Sequence, residues 1–579
     1  MINWTFEKSH PMGGAAGQAF NNPLLGTSPP ESLLAREAIQ NSCDAAYPRN
    51  SKVKVTFKKK TLRGSEKIDF IQALGIDRNI KPRIEYIGLS ATNCINELNE
   101  PEKPLNLLYI EDENTHGLYG DPHDGESHFH RLLLSLGDDS KAYQDESTGG
   151  SYGFGKSVYS ANSRIHTIVA YSAFSAIGNG DCDSARVMCC SFFKNHKIEE
   201  QAFTGRAWMG TADDSSEKVY PLENVDAHEL ALTCGFEARH EGKRGTSILI
   251  IDCSVSMDDL RNYIEDCWWP RICDDALDIE LYDENRRLPP PRPRGREELR
   301  PFIECYDMAI NRSQATGSHQ RFQRFNRLNN RELGSCGFQT LDQSLSENDD
   351  IQPYLNRIAL IRGLRMVVAY AEFGRTTPSA VGVFFADPAI DRYLKLSETT
   401  SHDKWDPSSP RLTEMGGDAK ECVKAVMDRL KQQFRRFQNE ALPPQTRGDR
   451  RLRLFERDFG ELFRPPGGPV PPPRGDIDPI SINFHRQPQA IQQDGQIFTN
   501  AAFSVALKED ANIESADVIL SVKIPILEDD NARDGEAIPI TITQQSDGST
   551  ITAVEEARIP LQLIKDERQR FTIRSDPYD

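Results

Sequence analysis

Residues Glu37–Ala45 have the sequence EAIQNSCDA and lie in the stretch that decides the fold. Upstream of them, Ser28 suits the N-cap of a helix, Pro29 suits its first position, and Glu31 completes a capping box. No helix-breaking residue follows before Ala46. The stretch therefore predicts one continuous helix.

The predicted helix has a polar face and an apolar face. Glu37, Asn41 and Asp44 stand at positions i, i+4 and i+7, so their side chains project from one side. Leu34 and Ala38 belong to an adjoining apolar stripe that is suited to pack on a sheet. A polar face of this kind is more often solvated than functional, so its interpretation depends on other stretches of the chain.

Length, charge and cysteine usage bound the class of protein. The chain has 579 residues, which predicts about three or four domains. Its net charge of −18 argues against a nucleic-acid-binding surface as a whole, although local basic patches stay open. The twelve cysteines include no Cys-x-x-Cys pair, and the N-terminus lacks signal-peptide features. Since no apolar run approaches the roughly 20 residues of a membrane span, we expect a cytoplasmic protein with reduced thiols and no membrane partner.

An acidic residue follows a short apolar run in the first third of the chain. Leu105–Ile110 has the composition of a buried strand, and Asp112 comes at its end, followed by Asn114 and Gly117. An aspartate in this position is well placed to accept a hydrogen bond from an exocyclic amine. The alternative is a strand-to-loop turn with a solvated carboxylate.

A glycine-rich stretch, Gly149–Ser157, has the sequence GGSYGFGKS. Its glycines allow backbone N–H groups to approach phosphate oxygens, and Lys156 can supply a positive charge. The stretch also fits the Walker A pattern. A P-loop needs a buried strand directly before its first glycine, whereas Asp138–Thr148 is polar. A P-loop NTPase centred on Lys156 is therefore the second interpretation.

Further runs predict strands at Lys52–Lys60, Arg83–Leu89, Ile165–Tyr171, Ala185–Phe193, Gln201–Met209 and Thr246–Ile251. Gly245 directly precedes the last of them. Four histidines with no standard metal-ligand spacing lie between Asp112 and the glycine-rich stretch: His116, His123, His128 and His130. A polar lid is favoured over a metal site for that segment.

Together, four of these stretches resemble the motifs of the GHKL superfamily, named for gyrase, heat-shock chaperone, histidine kinase and MutL. The resemblance covers roughly residues 1–253. It implies the Bergerat α/β sandwich of HSP90-like ATPases, with ATP and Mg²⁺ as cofactors. The first motif matches at Glu37, Asn41, Asp44 and Ala45. The second matches at Asp112 and Gly117, with Asn114 where a glycine is usual. The third matches at Gly150, Gly153 and Gly155, and the fourth matches at Gly245 and Thr246.

The resemblance also implies a role for each motif. Asn41 would hold Mg²⁺, Asp112 would accept the adenine amino group, and Thr246 would back the adenine. Glu37 would orient and deprotonate the attacking water, which favours hydrolysis over the histidine-kinase branch. The nucleotide-binding set implied in this way is Asn41, Asp44, Asp112, Asn114, Gly117, Gly150, Gly153, Phe154, Gly155, Lys156, Ser157 and Thr246.

Residues 254–410 predict an α/β domain that is similar to the transducer domain of ATP-hydrolysing members of the family. Such a domain reaches back to the terminal phosphate with a Lys or Arg, and Arg362, Arg365 and Lys404 are the candidates. Arg362 and Lys156 join Glu37 as the predicted catalytic residues. A structural salt bridge is an equal alternative for each of the three candidates.

The remaining chain divides by composition. The composition of residues 411–463 predicts a helical segment that contains a long amphipathic helix at Asp418–Glu440. Residues 464–475 are rich in Pro and Gly, which is typical of a linker. Residues 476–579 carry short alternating runs separated by turns, which predict a β-sandwich that binds a protein partner or covers the ATPase domain. The predicted fold class is therefore α+β.

The functional hypothesis is an ATPase that closes a homodimer on ATP and reopens on hydrolysis. Its domain order is closest to MutL-like and MORC-like ATPases, which points to prokaryotic antiviral defence or a DNA transaction, with nucleic-acid contact left open. The alternatives are a nucleotide-sensing scaffold with negligible turnover and the P-loop NTPase centred on Lys156.

Overall fold

In the computed structural model, the described residues are 2–10, 30–49, 51–88, 93–135, 157–178, 182–213, 218–239, 243–342, 350–373, 378–399, 404–441, 480–493, 496–507, 514–524, 538–545, 548–554, 556–565 and 567–577. The chain forms two compact units, Met1–Pro443 and Pro444–Asp579. The fold is of mixed α/β type, with large sheets in the first unit and a sheet-rich second unit.

Within the described residues, the first unit contains eleven α-helices. In chain order they are α1 (Pro30–Asp44), α2 (Gly64–Ala73), α3 (Lys81–Ile87), α4 (His128–Leu133), α5 (Val158–Ala161), α6 (Asn224–Thr233), α7 (Met257–Cys273), α8 (Arg300–Ala309), α9 (Pro388–Ser397), α10 (Pro410–Met415) and α11 (Ala419–Ala441). A π-helix (Ile76–Ile80) and three 3₁₀ turns (Ile95–Glu97, Pro293–Gly295 and Gln352–Tyr354) complete the helical elements.

The first sheet has twelve strands. They are β1 (Ile2–Lys8), β2 (Val53–Leu62), β3 (Leu105–Glu113), β4 (Thr167–Phe174), β5 (Ser184–Phe192), β6 (His196–Ile198), β7 (Gln201–Asp213), β8 (Lys218–Tyr220), β9 (Leu222–Glu223), β10 (Gly245–Ile251), β11 (Leu277–Asp283) and β12 (Arg286–Arg287). The strand order is β1-β7-β5-β4-β10-β3-β2-β11-β12, with β6 and β8 paired to β7 and β9 paired to β5. Among the described pairs, only β2 with β11 is parallel.

The centre of this sheet is covered on both faces. Leu108 and Ile110 of β3 point into one apolar cluster with helices α1 and α7, whereas Leu107 and Tyr109 point into a second cluster on the opposite face. The indole Nε1 of Trp268 donates to the Ala35 carbonyl at 2.9 Å, which fastens α7 to α1. This packing holds α1 against the face of β3 and β10.

The second sheet also belongs to the first unit. Its strands are β13 (Gln320–Arg324), β14 (Gly334–Thr340), β15 (Arg357–Ile361), β16 (Val367–Glu372) and β17 (Ala380–Ala386), in the order β13-β14-β17-β15-β16. One face packs on α9, α10 and α11, and the other packs on α8. The amphipathic pattern of α11 is therefore used within its own unit, because Val423, Leu430 and Phe434 are buried there.

The second unit contains two sheets around one apolar core. A five-stranded sheet has the order β18-β19-β24-β21-β22, and β20 pairs with β23 in a two-stranded sheet. The bounds are β18 (Ile480–Gln493), β19 (Gln496–Leu507), β20 (Ser515–Val522), β21 (Ile540–Gln544), β22 (Thr550–Ala553), β23 (Ala557–Ile564) and β24 (Arg568–Ser575). Phe503, Ile542, Leu561 and Phe571 meet in the core.

One local prediction is wrong. Arg83–Leu89 was expected to be a strand, but residues 81–87 form α3. Ile80, Ile84 and Ile87 are buried together, a spacing that suits a helix. Pro82 stands in the first turn, and Gly88 at φ 66° ends the helix in the left-handed region. Ile84 and Tyr86 have the alternate spacing of a strand, but the stretch is too short to distinguish that spacing from a helical one.

Two further findings concern the cysteine thiols and the apolarity of the helices. All twelve cysteines lie in the described residues and all are free thiols, ten of them buried. Within the described ranges, no helix has the length and apolarity needed to cross a membrane.

Candidate functional site

Helix α1 brings its polar face to the interior of the first unit. Glu37 is buried, with only 3% of its surface exposed, and Asn41 is half-buried one turn later. The Asn41 amide Nδ2 donates to the hydroxyl of Tyr159 at 3.4 Å. Tyr159 belongs to α5, which directly follows the glycine-rich stretch. This hydrogen bond thus joins the first predicted motif to the residues that follow the third predicted motif.

Asp112 is the residue at which the motifs converge. Its Oδ1 accepts from the Thr115 hydroxyl at 2.6 Å and from the Thr246 backbone N–H at 2.7 Å. Its Oδ2 accepts from the Ser42 hydroxyl at 3.1 Å. Ser42 comes from α1, Thr115 from the loop after β3, and Thr246 from β10. One buried carboxylate therefore ties three separate stretches together.

The ionisation of Asp112 reflects this position. Burial raises the pKa of Asp112, because the charged form loses its hydration. Arg239 and the three hydrogen bonds act in the opposite direction, but they do not outweigh burial. The same region raises the pKa of Tyr159 through burial, with the charges of Asp112 and Glu37 adding to the effect. The Tyr159 hydroxyl is thus close to both carboxylates.

Arg239 binds the backbone on both strands beside the carboxylate of Asp112. Its Nη2 donates to the carbonyls of Asp112 at 2.7 Å and Thr246 at 2.8 Å, and to the hydroxyl of Ser247 at 2.9 Å. The side chain is 8% exposed. This guanidinium fixes the end of β3 against the start of β10.

Gly245 is required by the same close approach. Its φ is +152°, and a Cβ atom there would lie 2.2 Å from the Asp112 carbonyl oxygen and 2.7 Å from Asp112 Oδ1. Any larger residue would push β10 away from the carboxylate. The Gly245-Thr246 pair therefore has a steric reason in this structure, independent of any resemblance.

Two motif positions in the loop after β3 have a backbone in the left-handed region. Asn114 lies at φ 63° and Gly117 at φ 70°. Asparagine is one of the few residues that tolerate this conformation, and the Asn114 amide is anchored on the Lys52 carbonyl at 2.9 Å. A Cβ on Gly117 would lie 2.7 Å from the Ala173 carbonyl. Asn114 thus adopts the geometry for which a glycine would be usual.

The glycine-rich segment itself falls outside the described residues. This applies to Gly150, Gly153, Phe154, Gly155 and Lys156. Ser157 is described and is buried, 1% exposed, immediately before α5. Helix α5 is a single turn, so it contributes less dipole than a longer helix would.

The three basic candidates of the second sheet have different surroundings. Arg362 is 2% exposed, and its Nε donates to Glu398 Oε1 at 2.5 Å. Asp391 also lies within 3.6 Å of its guanidinium. Arg365 donates to Asp274 at 2.6 Å, and Lys404 is exposed.

For Arg362 and Arg365 the structure thus contains the salt bridges that the sequence offered as an alternative. The charge of Asp44 nevertheless reaches Arg362 and acts to raise its pKa, after the larger contributions of Glu398 and Asp391.

The histidines after β3 contribute to an aromatic group. The His116 ring lies 4.5 Å from the Tyr47 ring and 5.6 Å from those of Tyr119 and His128. The Arg244 guanidinium carbon lies 4.4 Å from the centre of the Tyr47 ring. Burial lowers the pKa of His116, and the charge of Arg244 adds to this. Over the described part of the chain, no group of three or more His, Cys, Asp or Glu side chains could hold a metal.

Several residues of the site were missed by the sequence reasoning. Ser42 follows Asn41 directly, and a serine within a helix gives no signal that it will contact a distant carboxylate. Tyr159 and Arg239 gave no signal, because nothing in their local sequence indicates that they will contact Asn41 or Asp112. Only the packing of the sheet reveals them.

A comparison with protein-family models finds no match for this chain, and a comparison with curated proteins finds none either.

Proposed function

We propose that the first unit binds ATP with Mg²⁺ in the manner of the GHKL superfamily and hydrolyses it, driving a conformational switch. The observation that carries the proposal is the Asp112 carboxylate, which receives Ser42 from α1 and the Thr246 N–H from β10. Asp112 and Thr246 belong to the second and fourth motifs of the resemblance, and Ser42 lies between Asn41 and Asp44 of the first. Three functionally unrelated segments would not be expected to converge on one buried carboxylate.

Asp112 has the properties of an acceptor for an exocyclic amine. A carboxylate has about four acceptor positions, and the three donors in the described residues occupy three of them. Capacity remains on Oδ2, the oxygen that faces α1. Because the group is buried, a hydrogen bond from an adenine amine would form in a medium of low dielectric, where it discriminates strongly against a ligand without the donor.

The side chain of Asn41 fits a magnesium ligand. Its Nδ2 donates to Tyr159, which turns the amide oxygen away from that hydroxyl. Mg²⁺ prefers oxygen ligands and commonly takes the rest of its coordination shell from phosphates and water. When bound, it would neutralise charge on the phosphates. A site with a single protein ligand also agrees with the lack of a metal-binding cluster among the described residues.

Glu37 is the proposed general base. Its carboxylate lies one helical turn before Asn41 and on the same face of α1. It is buried, yet near enough to Tyr159 to affect the pKa of that phenol. A carboxylate next to the metal ligand is positioned to orient a water for in-line attack.

The topology of the first sheet favours this proposal over the P-loop alternative. A P-loop fold is built on a parallel sheet with the loop between a strand and a helix. Here β4, the strand after the glycine-rich stretch, is antiparallel to both of its neighbours, β5 and β10. Helix α5 is also too short to serve as the helix of a P-loop.

The biological setting rests on the resemblance alone. We propose a homodimer that closes on ATP, in prokaryotic antiviral defence or in a DNA transaction. Arg362 is retained as the candidate that responds to the nucleotide from the second sheet, since the charge of Asp44 on α1 reaches it.

The test compares Glu37→Gln and Asp112→Asn with the wild type for binding of a non-hydrolysable ATP analogue and for phosphate release. The control is Glu31→Gln, the same substitution at a half-buried position of the same helix. We expect Glu37→Gln to bind the analogue normally but to lose about 10²- to 10⁴-fold in turnover. Asp112→Asn should lose binding, and the control should change neither property.

Two other outcomes would replace the proposal. Negligible turnover of the wild type, with analogue binding unchanged in Glu37→Gln, would indicate the nucleotide-sensing scaffold. Wild-type behaviour of both variants, together with loss of binding in Lys156→Ala, would indicate the P-loop NTPase.

A further inference from the structure

The five-stranded sheet of the second unit has an unusual charge distribution. Its five strands, β18, β19, β21, β22 and β24, contain no Asp or Glu, in a chain whose net charge is −18. They do contain four arginines: Arg486, Arg568, Arg570 and Arg574. All four are exposed. Within the described residues, none of the four forms an ion pair with a carboxylate.

Three of these arginines form a row along β24. Arg568, Arg570 and Arg574 alternate with the buried side chains of Phe571 and Ile573, so they lie on the outer face of the sheet together with Thr572. Alternate residues of a strand are about 6.8 Å apart. That repeat is comparable to the distance between consecutive phosphates of an extended nucleic-acid strand.

The neighbouring strands leave the row accessible. On β19 the residues opposite Arg574, Thr572 and Arg570 are Asn500, Ala502 and Ser504. On the other side, Thr541 and Thr543 of β21 lie opposite Arg574 and Thr572. These side chains are small and mostly carry hydroxyl or amide groups. Asn500, Thr541 and Thr543 can donate hydrogen bonds to phosphate or sugar oxygens without covering the guanidinium groups. Ser504 is buried and forms a hydrogen bond with His485 at 3.0 Å, so it is not available to a ligand.

An aromatic ring borders one end of the row. The Arg574 guanidinium carbon lies 4.5 Å from the centre of the Phe498 ring. Both residues line a cleft of about 490 Å³, together with Arg486 and Thr541. Asp576 also lines the cleft and is the one carboxylate among the described residues of the lining. A stacked pair of ring and guanidinium offers a flat platform of the kind on which nucleobases stack.

We propose that this face binds single-stranded nucleic acid, with its phosphates along the arginines of β24 and a base in the cleft beside Phe498. Charge complementarity identifies the partner as a polyanion, and the row spacing together with the aromatic platform favours a nucleic-acid strand over an acidic protein. A straight row on an exposed sheet suits one extended strand better than the curved backbone of a duplex. The face lies wholly within the second unit, so the inference is independent of ATP hydrolysis.

The experiment measures fluorescence anisotropy of a labelled single-stranded oligothymidylate with the full-length protein over a range of salt concentrations. The test variant is Arg570→Ala/Arg574→Ala. The control is Arg558→Ala/Lys565→Ala, which removes the same charge from the same unit at β23 and the turn after it, away from the outer face of the five-stranded sheet. Thermal unfolding followed by circular dichroism shows whether both variants are folded.

We expect the test variant to bind at least about tenfold more weakly than the control. The slope of log K against log salt should fall by about 0.7 for each phosphate that an arginine no longer neutralises. Phe498→Ala should weaken binding about fivefold or more without changing that slope, because stacking does not release counterions.

Three results would overturn the proposal. Equal affinities of wild type, test variant and control would show that the arginine row is not the binding surface. Duplex DNA bound at least as tightly as the single strand would exclude the single-strand assignment. Equally effective competition by polyglutamate would identify the face as a docking site for an acidic protein.

Discussion

Arg239 of the first unit and Arg574 of the second unit belong to the same residue type but have opposite environments. Arg239 is buried, and its donors are used by the Asp112 and Thr246 carbonyls and by Ser247. Arg574 is exposed and rests on the Phe498 ring. The centre of the first sheet is covered on both faces, whereas the five-stranded sheet of the second unit exposes one face. The coverage of a sheet thus decides whether a guanidinium holds the fold together or is available to a ligand.

This difference predicts how the two units respond to substitution. Changes in the polar centre of the first unit should be costly, because each buried group there has a partner that would lose its hydrogen bond. Changes on the exposed face should alter binding and leave stability nearly unchanged.

The largest effect is expected for Gly245→Ala. Its Cβ would lie 2.2 Å from the Asp112 carbonyl oxygen, at a φ of +152°. Backbone strain and overpacking together should lower the free energy of unfolding of the first unit by about 4 kcal/mol or more. Urea unfolding of the full-length protein measures this.

The matched control is Gly548→Ala in the second unit. Gly548 has φ +71°, and among the described residues no atom lies within 4 Å of the new Cβ, so the expected cost is that of the backbone, roughly 1 kcal/mol. Similar losses for the two variants would mean that steric contact with Asp112 is unimportant.

A smaller loss is expected for Arg239→Leu. The Asp112 and Thr246 carbonyls would lose a charged donor inside the unit, at a cost of about 2–4 kcal/mol. Arg574→Leu should change stability by no more than about 0.5 kcal/mol. Comparable unfolding free energies for both variants, measured in urea, would contradict the contrast between the two environments.

The pH dependence of nucleotide binding tests Asp112 without a substitution. Because burial raises its pKa, protonation should remove the acceptor at a higher pH than the value of about 3.9 for an exposed aspartate. Nucleotide affinity should therefore fall as the pH is lowered, by at most about tenfold per pH unit.

The stability of the fold should not fall through this same group. A carboxyl whose pKa is higher in the folded state binds the proton more tightly there, so its contribution favours the folded state as the pH falls and is lost as the pH rises. Calorimetric titration across the acidic range, with thermal unfolding at each pH, separates the two effects. Constant affinity down to the pKa of an exposed aspartate would exclude Asp112 as the acceptor.

The smallest effect is expected for Ser42→Ala. It removes one of the three donors to Asp112 and should cost about 1 kcal/mol of stability, with a modest change in ATP affinity. Ser163→Ala is the control, since Ser163 is also buried and donates to the Ile251 carbonyl. It should lose similar stability with no change in ATP affinity. Identical affinities for the two variants would show that Ser42 does not influence the carboxylate.

Much of the local structure could be predicted from the sequence. The helix that carries Glu37, the strand ending near Asp112 and the strand opened by Gly245 all form at or within a few residues of the predicted positions. The predicted capping residues Ser28 and Pro29 lie outside the described residues. Local periodicity succeeds there because burial on a sheet or against a helix imposes it. It failed at α3, where seven residues are too few to separate a period of two from one of 3.6.

The extent of the first sheet was beyond local reasoning. Strands β11 and β12 follow residue 253, the predicted end of the first domain, yet β11 pairs in parallel with β2. Helix α7 lies between β10 and β11 in the chain, so the pairing depends on where that helix packs. Neither segment alone indicates a contact between residues so far apart in the chain.

Helical and strand periodicity set which side chains share a face, so the residue types of a candidate site can be identified from the sequence. Glu37, Asn41 and Asp44 were found in this way, and so was the buried strand before Asp112. The partners of Asp112 and Arg239, and the sheet face on which the arginines stay exposed, follow from the packing of the folded chain. Those contacts join strands and helices distant in the chain, and their energies depend on burial, which no single segment specifies.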